Sequence, residues 1–80
     1  MAKKKKTTRK TEMKPVKSSN IQSIGYYAHG YELYIQFING GLYVYFDVKR
    51  EEVTGLLRAA SKGRYFWKWI RDTYAYARIG

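Results

Sequence analysis

Two runs rich in β-branched and aromatic residues, Glu32-Leu33-Tyr34-Ile35-Gln36-Phe37-Ile38 and Leu42-Tyr43-Val44-Tyr45-Phe46, are separated only by Asn39-Gly40-Gly41. Such side chains suit a pleated, half-buried surface, and Asn-Gly supplies the positive φ angles of a tight turn, so the segment predicts a β-hairpin. With Asn39-Gly40 as a two-residue type I′ turn, Phe37 faces Leu42, Ile35 faces Val44 and Leu33 faces Phe46, all on the expected core side. The other face then carries Tyr34 opposite Tyr45 and Gln36 opposite Tyr43. Turning at Gly40-Gly41 instead shifts the pairing by two residues and keeps the same faces.

The flanking segments are read around this hairpin. Ser19 to Tyr27 alternates imperfectly, with Ile21 and Ile24 out of phase, and is read as a further strand. Val53, Leu56, Leu57 and Ala60 fall on one helical stripe, with Glu51 and Glu52 well placed in the first turn. Gly55 weakens that helix by roughly 1 kcal/mol relative to alanine, a cost that a close packing contact there would explain. Ser61 is placed to cap a second helix from about Gly63 to Asp72. On it Tyr65, Phe66, Trp69 and Ile70 share one face, and Arg64, Trp67, Lys68 and Arg71 the other. Tyr74 to Ile79 alternates and reads as an extended segment or edge strand. The expected fold is α+β: a small antiparallel β-meander of two to three strands packed by two C-terminal helices. Residues 18–80 would form this one domain, and residues 1–17 a disordered basic arm.

Charge narrows the choice of partner. Among 80 residues, 16 lysines and arginines against 6 acids give a net charge of +10, which favours an anionic partner. From Met1 to Lys17 the basic residues are Lys3, Lys4, Lys5, Lys6, Arg9, Lys10, Lys14 and Lys17 against the single acid Glu12, so this stretch holds +7 of the total. With no aromatic residue, it buries too little surface to offset the entropy of ordering. Such an arm binds phosphate through counterion release, steeply dependent on salt and blind to sequence; the plain alternative is a solubilising tail. Met13 would also serve as the start of a shorter chain. Cysteine is absent, ruling out disulfides and thiolate metal sites, and no apolar stretch reaches membrane-spanning length. The expectation is a cytoplasmic protein.

In order along the chain, Lys17-Ser18-Ser19-Asn20-Ile21, Ile24-Gly25-Tyr26, Leu33-Tyr34-Ile35-Gln36-Phe37 with Asn39-Gly40, and Tyr43-Val44-Tyr45-Phe46-Asp47-Val48 resemble motifs of the KTSC domain. So do Ser61-Lys62-Gly63-Arg64-Tyr65-Phe66, Ile70-Arg71 and Tyr74-x-Tyr76. The likeness runs from Met13 to Ile79. This family, named from the C-terminus of certain lysyl-tRNA synthetases, also occurs as small stand-alone bacterial and phage proteins. The resemblance implies its α+β fold and a role in RNA binding. Two positions depart from the family: Lys49 stands where proline is usual, and Trp67 where a polar residue is common. The lysine-rich arm lies outside the likeness.

Material for catalysis is poor, and the chain is expected not to be an enzyme, with no catalytic residue, metal or cofactor. His29 is the only histidine and sits beside Gly30 in an expected turn. Ser18 and Ser19 suit a turn or cap, and Asp47, Glu51 and Glu52 the start of a helix. Two surfaces remain as candidates for nucleic acid. Tyr34, Tyr43 and Tyr45 would form a stacking platform on the sheet face away from the helices, unless they are structural cover. Arg64, Trp67, Lys68 and Arg71 would set cations beside an indole, unless they form only a solvated helix face. With Lys3, Lys4, Lys5, Lys6, Arg9 and Lys10 of the arm, they make up the candidate binding set. The expected partner is nucleic acid, RNA ahead of DNA, with neither membrane nor small-molecule substrate. The alternative is a protein-interaction module, of bacterial or phage origin, docking on a larger acidic complex such as a polymerase, ribosome or nuclease.

Overall fold

The computed structural model describes residues 12–80, and the arm residues Lys3, Lys4, Lys5, Lys6, Arg9 and Lys10 lie outside them. The sheet has five antiparallel strands in chain order rather than two or three. They are β1 (Lys14–Pro15), β2 (Ile21–Tyr27), β3 (Glu32–Phe37), β4 (Leu42–Tyr45) and β5 (Tyr76–Arg78). Between β4 and β5 the chain forms α1 (Arg50–Arg58) and α2 (Lys62–Tyr65), and α2 runs on into a π-helical turn, Phe66–Ile70. Lys14 and Pro15 pair with Ile24 and Ser23, and Val16 packs on the core. The folded body therefore begins before residue 18, inside the stretch expected to be a disordered arm.

Ile21 and Ile24 are out of phase because β2 bulges between Ile21 and Ser23. The extra residue turns both side chains to the same face, where both are buried. Ser18 holds the start of this strand, its hydroxyl oxygen accepting from the backbone N–H groups of Asn20 at 3.2 Å and Ile21 at 3.1 Å.

The hairpin corrects the expected register by one residue. Phe37 donates its N–H to the Gly41 carbonyl at 2.8 Å, and Gly40 donates back to the Phe37 carbonyl at 2.9 Å. Three residues, Ile38, Asn39 and Gly40, thus form the loop, and Gly40 takes φ +107°, a conformation open to glycine. Leu33 now pairs with Tyr45, Tyr34 with Val44, Ile35 with Tyr43 and Gln36 with Leu42. A one-residue shift exchanges the two faces of a strand. Tyr43 and Tyr45 therefore join Leu33, Ile35 and Phe37 on the helix side, while Leu42 and Val44 turn to the back with Tyr34. Phe46, expected in the core, is exposed beyond the strand. Packing supports this choice, since Tyr45 and Phe37 each meet the buried Phe66 ring edge-on, at 5.4 and 5.3 Å.

Val53 and Leu56 bury the inner stripe of α1, but Leu57 is 46% exposed and Ala60 lies past the helix end, so the stripe is narrower than expected. Ser61 caps α2 as expected, accepting from the Arg64 N–H at 3.3 Å. Of the face expected to pack inward, Phe66 and Ile70 are buried, whereas Trp69 is half-exposed. Tyr65 leans on α1 instead and donates its hydroxyl to Glu52 at 2.5 Å. Tyr74 donates to the other oxygen of the same carboxylate at 2.9 Å, so Glu52 ties α1 to both C-terminal segments. The carboxylate and partial burial push the Tyr65 phenol up to about 12, and burial followed by the same hydrogen bond does so for Tyr74.

Candidate functional site

Strands β4 and β5 and the π-helical turn enclose a cleft of about 500 Å3 on the helix side of the sheet. Tyr45, 3% exposed, forms its floor, and burial, reinforced by Tyr43 and Tyr76, pushes its phenol up to about 12. It is neutral at physiological pH and adds no charge. Tyr76 lies directly across the strand pair from Tyr45, with ring centres 5.5 Å apart, and is 57% exposed. Tyr43 stands 5.9 Å from Tyr76 and faces Arg78, whose guanidinium carbon is 5.8 Å from the Tyr43 ring centre.

Arg71 brings a second cation to this cleft through the irregular turn. Its N–H donates to the Phe66 carbonyl five residues back, at 2.9 Å. Residues five apart point about 140° away from each other on an α-helix. Widening to a π turn sets them roughly one turn apart on the same side, so Phe66 and Arg71 line one cleft. The Arg71 guanidinium carbon lies 3.8 Å above the ring centre of Trp67, itself 65% exposed. Asp72 stands 3.4 Å from the Arg71 Nε and is the one acid lining the cleft among the described residues. On the far side of Trp67, Arg64 and Lys68 border a shallow depression with Ser19 and Asn20.

The candidate residues therefore divide. Arg64, Trp67, Lys68 and Arg71 lie along one partly exposed surface, as expected from the helical wheel. The expected back-face platform of Tyr34, Tyr43 and Tyr45 does not exist. The three-residue turn moves Tyr43 and Tyr45 to the helix side and buries Tyr45, leaving Tyr34 half-buried on the back with its hydroxyl donated to Glu32 at 2.7 Å. Sequence reasoning missed Tyr76 and Arg78, although their alternation with Tyr74 was a signal that they share a face. It also missed Phe37 as a cleft wall, since only the corrected register puts it beside Tyr43. Among the described residues no three histidine, aspartate or glutamate side chains gather to hold a metal ion, and no helix is long and apolar enough to cross a membrane.

The model of the KTSC domain matches residues 17–74. This chain belongs to the KTSC domain family. A crystal structure of a KTSC domain protein from Yersinia pestis superposes with a TM-score of 0.85 at 37% identity, covering 88% of this chain and 99% of that one. A protein of Tsukamurella paurometabola is 40% identical over 53 residues, which is 66% of this chain and 79% of the relative. The KTSC match ends before β5, so Tyr76 and Arg78, which complete the cleft, fall outside the matched segment.

Proposed function

We propose that this KTSC domain is a non-catalytic nucleic-acid-binding module, with RNA ahead of DNA as its partner. The observation that carries this reading is the Arg71 guanidinium stacked 3.8 Å from an exposed Trp67 ring at the edge of a cleft walled by further aromatics. Arginine and lysine fix phosphates while flat rings take bases or ribose, and Arg64, Lys68, Arg71 and Arg78 here lie among Trp67 and the rings of the cleft. The net charge of +10 adds attraction at long range. Titration of labelled single-stranded RNA, duplex RNA and duplex DNA at two salt concentrations tests it. Micromolar binding with a steep salt slope is the expected result, and no binding of any polyanion at low salt would refute it.

A second reading rests on Trp69, 50% exposed under the Lys68 ammonium and outside the cleft lining. Tryptophan, tyrosine and arginine dominate protein interfaces, so this flank would suit docking on a larger acidic complex. A partner retained in pull-downs after nuclease treatment favours docking, and loss of every partner favours nucleic acid.

A further inference from the structure

We infer that the cleft between β4–β5 and the π-helical turn receives one unpaired base of a single-stranded nucleic acid, with Arg71 and Arg78 on the adjoining phosphates. This rests on the nucleic-acid reading and adds to it a place and a strand type. The first ground is shape. The cleft is about 500 Å3, within the usual range for sites that hold a small organic group. Its accessible rings, Tyr43 and Tyr76, offer π faces that a base inside a duplex cannot reach because its own neighbours cover it. An unstacked base can.

The second ground is chemistry. Tyr43 and Tyr76 have no hydrogen-bonding partner for their hydroxyls among the described residues, so both are free to meet a ribose or a base edge. Asn39 also lines the cleft and already accepts from the Gly41 N–H at 3.2 Å through its side-chain oxygen, leaving its amide donors for a ligand. The third ground is charge. Arg78 donates its Nε–H to the Gly80 backbone oxygen at 2.9 Å, which orients the guanidinium over Tyr43 and leaves its terminal nitrogens for phosphate. Arg71 stands across the cleft, so the cations flank the recess while the rings lie within it. Asp72, 3.4 Å from the Arg71 Nε, offsets part of that charge.

The test uses the full chain with fluorescent oligoadenylate, a duplex of the same length, and free adenosine monophosphate. The oligoadenylate should bind more tightly than the free nucleotide, and Tyr76→Ala should weaken it by roughly 5- to 100-fold, the range expected for one stacked base. Tyr76→Phe, which keeps the stacking ring and loses only the hydroxyl, should weaken oligoadenylate binding far less than Tyr76→Ala does, and duplex binding should change less than 2-fold in either variant. If Tyr76→Ala leaves oligoadenylate binding intact while Arg71→Gln and Arg78→Gln weaken strand and duplex alike, the domain is a phosphate binder and the base site is wrong. Free nucleotide binding as tightly as the strand overturns it too. Absence of binding by every probe at low salt removes the broader nucleic-acid reading with it. Should Tyr76→Ala fail to fold, photo-crosslinking of the parent decides. Adducts on Tyr43 or Tyr76 support the site, and adducts confined to other residues overturn it.

Discussion

Gly55 lies directly beneath the Tyr65 ring: a Cβ added there would overlap the Tyr65 hydroxyl and stand 2.9 Å from its Cζ. Tyr65 has little room to retreat, because its hydroxyl is held by Glu52. Alanine would ordinarily strengthen a helix interior by roughly 1 kcal/mol over glycine, but overpacking costs about 1–3 kcal/mol. Gly55→Ala should therefore fail to stabilise the fold and should destabilise it by up to about 2 kcal/mol in urea unfolding. In a Tyr65→Ala background the same substitution should stabilise, and an unchanged sign in that cycle would refute the contact.

Alkaline pH should loosen the C-terminal half. The phenols of Tyr65 and Tyr74 are raised to about 12 from an ordinary 10, so the folded state holds their protons more tightly than the unfolded state does. That contribution is complete below pH 10 and is lost as pH climbs toward 12. Melting temperature should fall across this window. Glu52→Gln should lower the Tyr65 phenolate midpoint more than that of Tyr74, whose shift comes first from burial. Phenolate absorbance of Tyr65→Phe and Tyr74→Phe separates the two.

The hairpin turn makes a prediction at a single position. Gly40 has open space where a Cβ would go, but its φ of +107° strains any L side chain. Gly40→Ala should cost about 1–2 kcal/mol with no steric clash to relieve, measured by thermal unfolding. Gly40→Asn should recover only part of the loss.

Charge and stacking should separate in binding assays. Deleting residues 1–11 removes Lys3, Lys4, Lys5, Lys6, Arg9 and Lys10 and should flatten the dependence of affinity on salt, at about 0.9 in slope for each duplex phosphate no longer neutralised. Trp67→Ala should lower affinity by roughly 5-fold or more with little change in slope. A slope change of about 0.9 in Trp67→Ala, the share of one phosphate contact, would mean that Trp67 acts only by holding Arg71.

What the sequence disclosed were features set by local rules. The hairpin at Asn39-Gly40-Gly41, the Ser61 cap, the helix with Glu51 and Glu52 in its first turn, and the extended C-terminus all depend on neighbouring residues. The KTSC likeness needed only ordered motifs. Features decided by contacts distant in sequence stayed hidden. Whether the turn holds two residues or three depends on how Tyr45 and Phe37 settle against Phe66, more than twenty positions away. The bulge that reconciles Ile21 with Ile24 is likewise a consequence of pairing with β3. The cleft itself was illegible for the same reason: Tyr76 reaches Tyr45 only after the chain returns through two helices to add β5 to the sheet.

β1 has a bearing on how the two ends of the chain work together. Lys14 and Pro15 clip the entering chain to the β2 margin, whereas the aromatic cleft opens at the β5 margin, four strand spacings away, or about 19 Å. Lys14 is thus held at the edge of the sheet opposite Tyr76. A flexible polymer gripped both at Lys14 and in the cleft would have to straddle the width of the sheet, a minimum useful length that neither contact would impose alone.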